Sequence, residues 1–230
     1  MRCRVSVIVP VFNEAARIAT QLSVLTDTPG IDEVIVVDGG STDATVALTR
    51  SCERVRLVTS PRGRGPQMNA GAGAASGDVL WFVHADVALP ADAPAMVADA
   101  LRDPTVVGGA FRVETVPDGT TGWPARLLWL ADLRSRYSRL PYGDQAVFVR
   151  RNVFERLGGF APTPLFEDLE FSRRLRRAGP VRFLPTAVRV SGRRFMARPL
   201  YYACLMNALP LLYRLGVPTA MLARLYGHVR

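Results

Sequence analysis

The sequence contains no lysine, only 2 histidines and only 3 cysteines. Cys3, Cys52 and Cys204 are far apart, odd in number and without metal-ligand spacing. That excludes a disulfide framework and a cysteine-based zinc site, and fits a reduced, cytoplasmic setting. No G-x-G-x-x-G follows the first apolar run and no G-x-x-x-x-G-K-[ST] occurs, so neither the dinucleotide fingerprint nor the P-loop applies. The uncharged run from Pro199 to Tyr213, interrupted by Asn207 and Pro210, is too short for an ordinary membrane span, although it can lie on a membrane. The start, MRCRVSVIVPVF, has two arginines before an apolar stretch. It contains Pro10 and runs into Asn13 and Glu14 with no cleavage region, so it reads as a first strand and not a signal peptide.

The 230 residues, 49% of them hydrophobic, suffice for one sizeable domain with a real core. The 29 basic residues are all arginine and outweigh 20 acids, leaving a net charge of +9 that favours anionic partners. The planar guanidinium suits phosphate oxygens, although a GC-rich genome also accounts for arginine. RRLRR falls on a single helix with no RNA-binding aromatic motif beside it, so it reads as a solvated face and no nucleic-acid partner is expected.

Strand-like and helical patterns alternate through the first half. VSVIVPVF precedes AARIATQLSVL, whose Ile18, Leu22 and Leu25 recur at i, i+4 and i+7. EVIVVDGG, a helical stretch from Thr42 to Cys52, VRLVTS, a Gly/Ala-rich segment and VLWFVHAD follow. This order predicts an α/β fold with a mostly parallel sheet. Further on come a helix over Pro90–Leu101, a strand VVGGAFRV, a long amphipathic helix over Trp123–Tyr137 and a short strand QAVFVRR. NVFERLGG and EDLEFSRRLRRAG read as helices, and the tail as two apolar helices broken around Gly216 and Pro218.

Several polar residues fall where strands hand over to helices, the edge at which open α/β sheets bind ligands. Asn13 and Glu14 follow the first strand. Asp38 ends the second, where its carboxylate either accepts hydrogen bonds from a ribose or base or, with Ser41, stabilises the turn. In RGRGPQMNAGAGAASGD the small residues suggest a helix packed closely on the sheet, while Arg62, Arg64, Gln67 and Asn69 offer groups for an anion and a base edge. Asp86 emerges at the same edge as Asp38, and two nearby acids favour a divalent cation bridging Asp86 to a diphosphate, in oxygen-rich coordination suited to magnesium or manganese. His84, a lone histidine beside a core strand, fits a structural role better than a ligand role. Glu167 and Asp168 start a helix, whose dipole favours an ionised carboxylate able to act as a general base.

Taken in order, PVFNE, VDGGSTDAT, GRGPQMNAGA, HAD, GDQ, LGGF and EDLEFSRRLRRAG resemble a family 2 glycosyltransferase with the GT-A fold, from about Val5 to Arg194. The wording GRGPQMNAGA, HADVALP, PYGDQAVFVRR and SGRRF is similar to the branch called radical-SAM/selenodomain-associated or arsenosugar-associated glycosyltransferases. The resemblance implies a Rossmann-like sheet flanked by helices in residues 1–195 and a C-terminal helical appendage in 196–230. It implies that Pro10, Asn13, Glu14 and Asp38 hold the nucleotide of a sugar donor and that Arg64, Gln67 and Asn69 line the same pocket. Asp86 matches the last acid of the D-x-D motif and would carry Mg2+ or Mn2+. Asp168 matches the catalytic base, and Asp144, Gln145 and Glu167 would frame the acceptor side.

Three departures stand out. Gly39 replaces the second acid of V-D-D-G-S, His84 replaces the first acid of D-x-D, and SGRRF lacks a histidine that some members use as a metal ligand. With only His84 and His228 in the chain, a metal would rest on Asp86, diphosphate and water, or Arg193 or Arg194 would neutralise the leaving group directly. The reading is a cytoplasmic inverting sugar transferase using a nucleotide-sugar and a small or lipid-linked hydroxyl acceptor, whose tail either lies on the inner membrane face, makes a dimer contact or covers the acceptor side. A nucleotidyltransferase acting on a sugar phosphate, and a non-catalytic binder of anionic ligands, stand as alternatives.

Overall fold

Strands covered by helices on both faces must bury every side chain, so they read as continuous apolar runs. The computed structural model describes residues 3–117, 122–130, 132, 138 and 140–227. In it β1 (Val5–Val11) is buried at every position and β2 (Glu33–Asp38) at all but its first. These two pair in parallel, and β3 (Val55–Thr59) and β4 (Val79–Phe82) extend the parallel unit on either side. The crossovers carry α1 (Ala15–Asp27), α2 (Thr45–Arg50) and α3 (Arg64–Ala74).

The pleat sends alternate β1 residues to opposite layers. Val5, Val7, Val9 and Val11 pack with the predicted Ile18, Leu22 and Leu25 of α1, while Ile8 meets Met68 and Ala72 of α3. Gly71 shows why α3 is built from small residues. A Cβ there would lie 2.4 Å from Ile8 Cγ2 and 2.9 Å from Val37 Cγ2.

With β5 (Val87–Ala88), β6 (Gly108–Val116), β7 (Phe148–Arg150) and β8 (Val181–Ser191), the sheet order is β3-β2-β1-β4-β7-β6-β8-β5. Four of its seven pairings are parallel; β7 runs antiparallel to β4 and β6, and β5 to β8. VLWFVHAD is a strand only as far as Phe82. His84–Asp86 instead form a turn, closed by the Val87 N–H on the His84 carbonyl at 3.1 Å. The helix α4 (Ala93–Ala100) begins later than Pro90, with Pro94 in its first turn, where an N–H is dispensable. Of the helix expected over Trp123–Tyr137, Trp123–Leu127 is a 3-10 segment, and residues 131 and 133–137 lie outside the described residues. β8 escapes the sequence reading because Pro185 interrupts it. That proline falls within the register shift between Ala110↔Phe183 and Arg112↔Ala187, where no ladder bond is needed.

The remaining helices are α5 (Arg151–Arg156), α6 (Glu167–Ala178), α7 (Arg193–Ala197), α8 (Pro199–Arg214) and α9 (Thr219–Tyr226). α8 and α9 fold back on the sheet's C-terminal edge. Leu209 and Leu222 bury against Tyr142, Leu165, Phe166 and Leu169, and Ala203 joins Leu128 and Phe195. Phe166 stacks on Tyr213 with centroids 4.9 Å apart. Among the described residues no helix is long and apolar enough to cross a membrane.

Candidate active site

Beyond the ends of β1, β2 and β4 lies a cavity of about 160 Å³, roofed by α8 and α9. Pro10, Glu14, Arg64, Gln67, His84, Asp86, Asp144 and Asp168 line it, together with Arg193. Asn13, Asp38, Asn69, Gln145 and Glu167 do not: Glu167 is buried beside it, and the bonds of the other four explain why. Asn13 clips one loop to the next: its N–H donates to Ser41 Oγ at 2.9 Å and its Oδ1 accepts the Thr42 N–H at 2.8 Å. Asp38, expected to face a nucleoside, turns into its own loop and accepts the N–H groups of Gly40 and Ser41. Asn69 is held by Phe160, donating to its carbonyl and accepting its N–H, both at 2.8 Å. Gln145 donates to the Phe111 carbonyl and accepts the Tyr142 N–H. Gln67 reaches the cavity, yet its Nε2 donates to the carbonyls of Val11 and Val37, both at 2.8 Å, tying the ends of β1 and β2 together.

Asp168 sits in the first turn of α6 with both carboxylate oxygens engaged by the backbone. Gly143 N–H donates to Oδ2 at 2.7 Å and Leu169 N–H to Oδ1 at 2.6 Å. Gly143 can approach this closely because it has no side chain: a Cβ would stand 3.0 Å from His84 Nε2 and 3.3 Å from Asp168 Oδ2. The three non-glycine residues with left-handed backbones among those described, Asn13, Ala146 and Phe166, all belong to loops around this cavity. Such backbones are costly for a bulky residue such as Phe166, and strain of this kind clusters at functional sites.

Two arginines face the carboxylates. Arg193, just after β8, donates to Glu14 at 2.8 and 3.1 Å and lies 4.0 Å from Asp86. The side chain of Arg194 lies outside what is described. Arg64 opens α3, and among the described residues nothing gives its guanidinium a hydrogen bond or an ion pair within 4 Å. Burial opposes its charge, but the carboxylates of Glu167, Asp168 and Asp86 outweigh that and raise its pKa. Burial, and then the Arg64 charge, push His84 down to about 4, so its imidazole is neutral at neutral pH. Burial, and then the neighbouring Asp168, push Glu167 up to about 7.

The Glu167 shift makes a prediction about stability. The unfolded chain releases this proton near 4.5 and the folded chain near 7, so folding takes up a proton between those values and stability falls as pH rises through them. Glu167→Gln mimics the protonated side chain. Its melting temperature should match the wild type below pH 4.5 and exceed it by roughly 7–14 °C above pH 7. A difference independent of pH would contradict the raised pKa.

The lining residues absent from the sequence reading are mostly apolar: Phe12, Tyr142, Phe166, Phe195, Met206, Leu209 and Tyr226. In sequence they read as core, and a signal for them exists only in the way α8 and α9 fold back. The cavity thus has a carboxylate held by two N–H groups on one side, cations on another and an apolar roof. That combination suits proton abstraction beside a bound anion.

No curated protein matches the sequence. Among solved structures, the mannosyltransferase PcManGT from Pyrobaculum calidifontis, in complex with GDP-Man and Mn2+, is 24% identical with a TM-score of 0.67. The alignment covers 92% of this chain and 62% of that one. S. aureus TarS 1-349, in complex with UDP-GlcNAc, is 20% identical with a TM-score of 0.65, over 91% of this chain and 66% of that one. The chain therefore spans just under two thirds of the length of these structures, whose likeness establishes an α/β, GT-A-like fold. The sequence profile of Glycosyl transferase family 2 matches residues 6–163, more than half the chain, and on that match the chain belongs to this family.

Proposed function

We propose that the protein is an inverting glycosyltransferase that moves a sugar from a nucleotide-sugar to a hydroxyl of a small or lipid-linked acceptor. The observation that carries this reading is the presence, in the lining of one cavity, of the backbone-held Asp168 and the cations Arg64 and Arg193. Asp168 accepts the proton of the acceptor hydroxyl as its oxygen attacks the anomeric carbon. The bond from that carbon to the diphosphate breaks, and the configuration inverts. Arg64 and Arg193 offset the charge that grows on the departing phosphate. Neutral His84 and Asp144 border the space between base and cations. Ligand sites typically measure roughly 300–1,000 Å³, so we assign the cavity of about 160 Å³ to only part of the donor, its diphosphate and sugar.

A divalent cation fits as a partner of the diphosphate. Among the described residues no three His, Cys, Asp or Glu side chains converge to hold one, and Asp86 lines the cavity with its carboxylate 4.0 Å from Arg193. Asp86 would hold Mg2+ or Mn2+, which when bound adds charge stabilisation at the leaving phosphate. The GDP-Man, Mn2+ and UDP-GlcNAc bound to the related structures support this donor class. We place the chain in the radical-SAM-associated branch on the wording of its motifs, with residues 196–230 as a helical appendage that contacts the cytoplasmic membrane face.

Thermal-shift measurement against a panel of nucleotide-sugars, with and without manganese, tests the reading, because a ligand selective for the folded state raises the melting temperature. At least one donor should stabilise the wild type, more so with manganese. Asp86→Ala should weaken that donor about tenfold and abolish the manganese increment. A donor panel without any shift would overturn the donor class, and an unchanged manganese increment would overturn the role of Asp86.

A further inference from the structure

Exposed apolar side chains are concentrated in one place. Of the nine large hydrophobic residues exposed among those described, only Val24 lies apart. The other eight, including Trp123 (60%), Trp129 (55%), Leu200, Leu211 and Leu215 (73%), sit on α8, α9, their connection and the segment around residues 123–130 that packs beside α8. On α8 and the residue after it, exposed positions 200, 204, 207, 208, 211 and 215 recur every three or four residues and carry Leu, Cys, Asn, Ala, Leu and Leu. This outward stripe has no charge along its length. The opposite side of α8 buries Ala203 and Leu209, so the helix is apolar on its covered and its uncovered face alike.

The segment that carries α8 and α9 has charge of one sign. After Glu170 the sequence contains 12 arginines and no acid, with exposed Arg198 and Arg214 at the two ends of α8 and Arg224 on α9. A second copy docking through the same face would bring two such cationic helix pairs together on molecules of net charge +9. An anionic lipid layer has the complementary charge. Its headgroup region also accepts an apolar helix face, interfacial tryptophans and arginines at the rim.

We propose that the outer face of α8 and α9, with Trp123 and Trp129, is a docking surface for the acidic headgroups of a bilayer. The same helices turn Met206, Leu209 and Tyr226 into the roof of the cavity. On the transferase reading above, on which this step rests, docking sets the acceptor side against the lipid surface, and the acceptor is an amphiphile whose hydroxyl lies in the headgroup region.

The test is co-sedimentation of the full chain with vesicles of phosphatidylglycerol in phosphatidylcholine, against phosphatidylcholine alone, at low salt. Tryptophan quenching by brominated lipid locates the contact, since of the 3 tryptophans Trp81 is fully buried and supplies an unquenched background. Expected are binding to the acidic vesicles and quenching that disappears in Trp123→Phe/Trp129→Phe. Affinity should fall about thirtyfold in Arg198→Glu/Arg214→Glu, at roughly fivefold or more per cation, and at least about tenfold in Leu211→Glu/Leu215→Glu. All these side chains are exposed or belong to surface residues, and unchanged melting temperatures verify folding. No vesicle binding, or vesicle binding indifferent to the substitutions, overturns the surface. So does a dimer that Leu211→Glu/Leu215→Glu dissociates while vesicles stay unbound. Donor binding is measured on the same samples. Donor binding without vesicle binding removes the docking face and leaves the transferase reading, whereas the reverse removes the transferase reading and leaves the docking face.

Discussion

Asp168→Asn is expected to lower sugar transfer by about a thousandfold while nucleoside diphosphate affinity changes less than about threefold. General bases commonly contribute 10²–10⁴ in rate, and the substitution removes the basic oxygen while nearly preserving shape. The side-chain carbonyl of asparagine can still accept one of the N–H bonds that Gly143 and Leu169 direct at this position. The cations proposed to hold the diphosphate lie on other elements, α3 and α7, and keep their positions. Single-turnover transfer measured beside calorimetric titration with nucleoside diphosphate separates the two effects. Equal losses in transfer and binding would assign Asp168 to holding the donor.

Arg64→Ala is expected to weaken nucleoside diphosphate binding about a hundredfold and to leave nucleoside binding nearly unchanged. Charge-assisted hydrogen bonds contribute roughly 1.5–3 kcal/mol each. The Arg64 guanidinium is kept charged by surrounding carboxylates without a bond to any described residue, so a diphosphate would give it its first close partners. Arg193→Ala should cost less, because that guanidinium must exchange its existing pairing with Glu14 for the phosphate. Arg64→Lys should restore part of the affinity, the charge returning without the planar fork. Titrations with nucleoside and with nucleoside diphosphate decide the matter. Equal weakening of both would place Arg64 in the fold and not at the phosphates.

The parallel half of the sheet was legible because β1, β2 and β4 are apolar runs and α1 has a clear period in Ile18, Leu22 and Leu25. β8 was not, since Pro185 lies in a register shift that only the partner strand reveals. The candidate site was legible as chemistry more than as geometry. Glu14, Arg64, Asp86, Asp144 and Asp168 converge on one cavity, whereas Asp38 and Asn69 serve the backbone. A sequence records that a carboxylate or amide stands at a strand end, but not which way the next turn sends it. A tail covering the acceptor side was among the sequence expectations, but which of its residues do so was not legible: Leu209 and Tyr226 look like core until the tail is seen to return over the site.

The amide of Gln67 has a consequence for what can stand at position 39. Positioned by its two strand carbonyls, its Cδ stands 3.0 Å from where a Cβ on Gly39 would be. A side chain introduced at 39 therefore fits only if this amide yields by a few tenths of an ångström, loosening the clasp by which it joins two neighbouring strand ends.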